Sequence, residues 1–157
     1  MRPLIARLMP FVLLALMPLS AYAQEVYLQG RFVPLRGPGA DARPPVGEAR
    51  ARVDEDGDVR IDLVVSGLAE RATSATLHAG DAGDNTEQAA RLDVVADGAA
   101  ARIIGGTATL TPLVAQQVRS GSAYIVLRTA EHPGGVLRAQ LAPQPRMLES
   151  AGNEPRR

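Results

Sequence analysis

Apolar and polar residues alternate along most of the chain, in short runs that are separated by turn residues. The clearest runs are residues 48–54 and 58–66, in which every second residue is Ala, Val, Ile or Leu. Alternation with a period of two is typical of a β-strand that has one face in the core. Residues 54–57 (Asp-Glu-Asp-Gly) form a turn signal between the runs. The pattern therefore predicts a hairpin, and its opposite charges are expected to pair across the two strands.

Further alternating runs predict six more strands and one helix. The strands cover residues 25–33, 73–79, 91–96, 101–110, 124–129 and 136–141. A helix of about two turns is predicted at 113–119, because Thr111 and Pro112 form an N-cap and a first helical residue. Residues 34–47 are rich in Pro and Gly and predict a loop. Short strands separated by turns predict an all-β fold: a Greek-key β-sandwich or small barrel, with one short helix before the last two strands.

The two ends of the chain differ from the alternating middle. Residues 1–23 predict a signal peptide, because arginines precede a mostly apolar run of twelve residues and Ala21-Tyr22-Ala23 matches a cleavage site. That run is too short to span a membrane. Residues 24–142 are then predicted to form one β domain, and residues 143–157, which lack periodicity, a disordered tail. The expected location is periplasmic or secreted, with no integral membrane span.

Charge and composition exclude several function classes. The chain has 17 basic and 17 acidic residues, which gives no electrostatic reason to expect a nucleic-acid partner. It has no cysteine, so disulfides, thiolate metal sites and cysteine nucleophiles are excluded. Neither a Gly-x-Ser-x-Gly elbow nor a His-Glu-x-x-His motif occurs. The sequence therefore predicts that the protein is not an enzyme.

The densest pattern lies in residues 122–141, where two strand-like runs flank a His-Pro-Gly-Gly turn. This stretch resembles the closing motif of the chordin-type (CHRD) domain, which typically reads Tyr-x-Asn-x-His-Thr, a Pro-Gly turn, and Gly-x-Ile-Arg-Gly-Gln. The resemblance covers roughly residues 25–142 and implies structural roles for the matching positions. In particular, the motif arginine is expected to be at least half-buried and to bind loop carbonyls. The matching positions are Tyr124, Pro133, Gly135, Arg138 and Gln140.

Three positions that the family fills with histidine define the candidate site. The resemblance places Thr76 and His78 on the His-x-His strand and Arg128 on the closing strand. Three histidines could hold a metal, by analogy with the sandwich of Cu/Zn superoxide dismutase. This chain keeps one of the three, and an arginine repels cations, so no metal and no cofactor are expected. We expect a polar cluster in which His78 accepts a hydrogen bond from the guanidinium, or a site where Arg128 attracts a small anion.

Two further polar groups have simpler interpretations. His132, in the turn, is expected to face solvent. Asp81, Asp84, Asn85 and Glu87 do not follow the ligand spacing of an EF-hand and indicate a solvated loop.

The resemblance implies a non-catalytic binding or structural module of the cell envelope, whose partner is an envelope protein or a small anionic ligand. The alternative is a metal-binding protein, or a metal-dependent enzyme, built on a dismutase-like sandwich. That alternative requires ligands at the positions that Thr76 and Arg128 occupy.

Overall fold

The structure, a computed structural model, describes residues 25–35, 43–81 and 88–145. These ranges contain nine strands and one helix. The elements are β1 (Val26–Pro34), β2 (Val46–Val53), β3 (Asp58–Ser66), β4 (Ala72–Ala79), β5 (Gln88–Leu92), β6 (Val95–Asp97), β7 (Ala100–Thr109), α1 (Pro112–Arg119), β8 (Ala123–Thr129) and β9 (Leu137–Pro143). The all-β prediction, with one short helix before the last two strands, is confirmed. The predicted signal peptide, residues 36–42 of the predicted 34–47 loop, residues 82–87 of the predicted solvated loop and most of the predicted tail lie outside the described residues. Val46 and Gly47 were expected in the 34–47 loop but belong to β2.

All nine strands join one antiparallel sheet in the order β5-β4-β8-β9-β1-β2-β3-β7-β6. The strands at its two ends, β5 and β6, are connected by only Asp93 and Val94. Three steps of about 3.8 Å between successive Cα atoms reach at most about 11 Å. The two edges must therefore lie close together, and β5 also contacts β7. The sheet is consequently curled into a half-barrel.

The same two residues correct one predicted element. The run 91–96 was expected to form a single strand, but Asp93 and Val94 interrupt it and its halves belong to opposite ends of the sheet. The interruption lets the chain pass from one edge of the half-barrel to the other. A pattern of apolar residues alone does not distinguish one strand from two short strands that meet at such a corner.

The inner face of the sheet is aliphatic, as the alternation predicted. In β3 the residues Val59, Ile61, Leu63 and Val65 are fully buried, whereas the residues between them are exposed. The helix adds Ala115 and Val118 to the same core. At about 25 cal/mol per Å² of apolar surface removed from water, this face is the main stabilising contribution to the fold.

The charges of the β2–β3 hairpin do not pair in the predicted way. Arg50 does lie opposite Asp62, but Arg52 lies directly opposite Arg60, a pair of like charges. The Arg50 guanidinium instead lies 2.9 Å from Glu48, two residues away on its own strand, and Arg52 lies 3.5 Å from Glu25. These groups are on the solvent side, where such pairs contribute little to stability.

Strands β4 and β8 are buried on both faces, which alternation alone did not predict. Tyr124 and Val126, on the side of β8 away from the core, are each only 3% exposed. Part of the cover comes from the turn between β8 and β9, because Gly135 lies against Val126 and Leu35. No helix among the described residues has the length and apolarity needed to cross a membrane.

Candidate functional site

The register of β4, β8 and β9 brings the family-motif residues to one side of the sheet. His78 lies opposite Tyr124, and Tyr124 lies opposite Gln140. Directly opposite residues of antiparallel strands point to the same side. Since residues two apart on a strand also share a side, the whole set lies on the side away from the aliphatic core. We call this surface the motif face; it carries Thr76, His78, Tyr124, Arg128, Arg138 and Gln140.

Thr76 links the other two residues of the predicted polar cluster. Arg128 donates a hydrogen bond from Nη1 to Thr76 Oγ1, and that oxygen lies 2.9 Å from His78 Nε2. Because the hydroxyl accepts from the guanidinium, it can donate its own hydrogen to the imidazole, which then carries its proton on Nδ1. The structure thus brings Thr76, His78 and Arg128 together. The prediction that His78 itself accepts from Arg128 is wrong, because Thr76 lies between them.

The rings of His78 and Tyr124 are stacked, with centroids 4.9 Å apart and planes 1° from parallel. The guanidinium of Arg138 lies over the Tyr124 ring, with Cζ 4.9 Å from the centroid, a cation–π geometry. Nε of Arg138 is buried and has no hydrogen-bond partner. Among the described residues no hydrogen bond joins Arg138 to a loop carbonyl; Gln140 makes such a bond, donating from Nε2 to the Gly121 carbonyl at 3.0 Å.

The turn between β8 and β9 is fastened to the motif face. Arg128 Nε donates to the Pro133 carbonyl at 2.9 Å, and the Gly135 amide donates to the His132 carbonyl at 3.0 Å. Gly135 has φ +114°, a backbone conformation that side chains rarely permit. The Pro133 and Gly135 positions of the motif thus let the turn bend back over β8, where Arg128 holds it.

A second polar cluster, which sequence reasoning missed, connects this turn to the loop before β4. His132 Nδ1 lies 3.2 Å from a carboxylate oxygen of Glu70, and the Thr129 hydroxyl donates to the same carboxylate. The His132 amide also donates to Thr129 Oγ1 at 3.1 Å. His132 was expected to face solvent; its side chain is only 31% exposed and is paired with Glu70. No spacing in the sequence marked Glu70, which lies 62 residues before its partner.

The Glu70 cluster predicts a pH dependence of stability. The hydrogen bond from Thr129 lowers the pKa of Glu70 below its ordinary 4.5; partial burial opposes this effect, and His132 and Glu131 lower the pKa further. Because the folded pKa is the lower one, the stabilisation is present above pH 4.5 and is lost as pH falls through the folded pKa. Thermal unfolding of Glu70→Gln from pH 7 to pH 2.5 should therefore show a Tm deficit at neutral pH that shrinks in acid.

The matched control for this titration is Asp93→Asn, which alters an exposed carboxylate between β5 and β6. Its Tm should follow that of the unmodified chain at every pH. A Tm deficit of Glu70→Gln that stays constant from pH 7 to pH 2.5 would contradict an ionised, paired Glu70.

The side chains of the motif face are poor ligands for a divalent cation. Thr76 and His78 provide one hydroxyl and one imidazole, and Arg128 places a positive charge beside them. Within the ranges that the structure describes, no three His, Cys, Asp or Glu side chains lie close enough to hold a metal ion.

Comparison with known proteins gives one family. The family model described as CHRD domain matches residues 23–141, a range that starts just before β1 and ends within β9. No curated protein and no solved structure matches the chain. The match includes every residue of the motif face and the whole turn that covers β8.

Proposed function

Because the chain belongs to the CHRD domain family, we propose that it is an exported, non-catalytic module that binds a partner or supports structure in the cell envelope. The CHRD domain is not a known enzymatic family. The observation that carries the proposal is the packing of the motif face. The positions where the family has its histidines are filled here by side chains that bind one another inside the fold.

The burial of this cluster argues against a reaction site. Thr76 is 3% exposed, His78 8% and Tyr124 3%. A catalytic group must touch its substrate, whereas these polar groups are largely withdrawn from solvent. Their hydrogen bonds and ring contacts join β4, β8 and the turn that follows β8. They therefore support a structural role for Thr76, His78 and Tyr124, and leave contacts with a partner or ligand to side chains nearer the surface.

Export is supported by the sequence of residues 1–23 and is tested by mass spectrometry of the expressed chain. In a bacterial host we expect the protein in the periplasm or medium, with a mature N-terminus at Gln24. In-cell cross-linking should then capture an envelope component. Full-length protein retained in the cytoplasm would contradict export.

Titration of the purified protein with copper and zinc tests the non-catalytic part of the proposal. We expect no stoichiometric uptake, because the arginine beside His78 opposes cation binding. Removal of the imidazole in His78→Ala should lower Tm and leave metal uptake unchanged. One equivalent of tightly bound metal, lost in His78→Ala, would contradict the proposal.

A further inference from the structure

Charge is unevenly distributed between the two halves of the sheet. The four adjacent strands β5, β4, β8 and β9 contain three arginines and a histidine but no Asp or Glu. The other five strands mix arginines with Glu48, Asp58, Asp62 and Asp97. On the basic half, Arg91 lies opposite Thr76 and so joins Arg128 and Arg138 on the outer side. Although the whole chain has zero formal net charge, these four strands carry basic side chains and no acidic ones.

The two half-buried arginines of this face have no carboxylate partner. Among the described residues, neither Arg128 nor Arg138 lies within ion-pair distance of an acidic side chain. The Arg138 guanidinium also has a buried Nε without an acceptor. A partly desolvated charge that lacks a counter-ion is unfavourable, and a buried donor without an acceptor requires an explanation. An anion bound from solvent at the other guanidinium nitrogens would supply the missing counter-charge.

We propose that the motif face binds one oxyanion group between Arg128 and Arg138. Arg138 lies opposite Val126, and Arg128 is two residues further along β8 on the same side. Side chains in this diagonal relation start about 7–8 Å apart, so an oxyanion placed between them is within reach of both long side chains. Arg128 uses Nε and Nη1 for Pro133 and Thr76, and its Nη2 is available to a ligand.

The ligand class follows from the donors. Guanidinium groups bind carboxylate, sulfate and phosphate oxygens through paired, charge-assisted hydrogen bonds. The Tyr124 ring under Arg138 holds that guanidinium in a defined orientation, so less side-chain freedom is lost on binding. This inference rests on the proposed function: it gives the non-catalytic module a ligand class.

Calorimetric titration of the full chain at constant ionic strength tests the site, with citrate, inorganic sulfate and inorganic phosphate as probes and chloride as the reference ion. We expect one anion per chain and a rise in Tm that chloride does not produce. Preference for citrate assigns a carboxylate ligand, and preference for phosphate or sulfate assigns those groups. No binding by any of the three beyond that of chloride would overturn the inference.

Substitution of Arg138 separates ligand binding from folding. Nε of Arg138 makes no hydrogen bond, so Arg138→Gln loses mainly the contact with the Tyr124 ring, and without added anion its Tm should lie within a few degrees of that of the unmodified chain. Its anion affinity should fall tenfold or more, whereas Arg102→Gln, an exposed arginine on β7, should bind as before. Arg138→Lys keeps the positive charge but loses the paired, planar donors of the guanidinium, and it should also bind the anion about tenfold more weakly.

The outcomes distinguish this inference from the proposed function. Full anion affinity in both Arg138 variants would overturn the inference alone, while export and the cross-linked partner would remain. If Arg138→Gln fails to fold, Arg138→Lys decides: unchanged affinity in that variant would also overturn it.

Discussion

Gly135→Ala is expected to destabilise the protein by about 2–6 kcal/mol in urea unfolding. The residue has φ +114°, and a Cβ there would lie 2.5 Å from Val126 Cγ1 and 2.8 Å from Leu35 Cδ1. A non-glycine residue in so sparsely populated a backbone region costs roughly 1–3 kcal/mol. Overpacking against the buried, β-branched Val126 adds about 1–3 kcal/mol. The turn that covers β8 would have to move, and with it the carbonyl that Arg128 binds.

Gly134→Ala is the matched control, because it changes the adjacent residue of the same turn. A Cβ at Gly134 meets no atom within 4 Å, so its stability should stay within about 0.5 kcal/mol of that of the unmodified chain. Equal stability of the two variants would show that the turn does not pack closely against Val126 of β8 in solution.

Thr76→Val is expected to cost about 2–4 kcal/mol at nearly constant side-chain volume. The substitution removes the oxygen that accepts from Arg128 and contacts His78 Nε2. The buried His78 and the half-buried Arg128 then each lose a hydrogen bond, and each loss costs roughly 1–2 kcal/mol. The measurement is again urea unfolding. The slope of the unfolding free energy against urea concentration should be the same in the variant and the unmodified chain, which confirms that the unfolded state is unchanged.

Two variants control for this effect. Thr76→Ser keeps the hydroxyl and should recover most of the loss. Thr107→Val places the same substitution at an exposed position of β7 and should change stability by less than about 0.5 kcal/mol. If Thr76→Val were as stable as the unmodified chain, the role of Thr76 as the link between Arg128 and His78 would be contradicted.

Local pattern was sufficient for much of the fold. The β2–β3 hairpin, the helix at 112–119 and the final strand pair all depend on residues close in sequence, whose alternation and turn chemistry are readable without a structure. The family resemblance was equally local, because it rests on motifs within a few strands. It also identified Thr76, His78 and Arg128 as positions that belong together.

Contacts between distant residues were decided only by the tertiary structure. Glu70 meets His132 across 62 residues, and Arg128 meets Thr76 across 52, so each contact depends on strand register. The stacking of Arg138 on Tyr124 likewise follows from how β8 and β9 pair. Side-chain partners on a sheet are set by which strands become neighbours, and a single sequence does not encode that order in any local pattern.

The burial of both faces of β8 has the same origin. The sequence by itself determined an aliphatic inner face, because alternation predicts which residues avoid water. Whether the opposite face meets solvent depends on where the following turn folds, and here Gly135 bends it back onto Val126. Sequence thus determined the elements and the members of the motif. Tertiary packing decided that Thr76, His78 and Tyr124 are enclosed and that the two half-buried arginines beside them lack a carboxylate partner among the described residues.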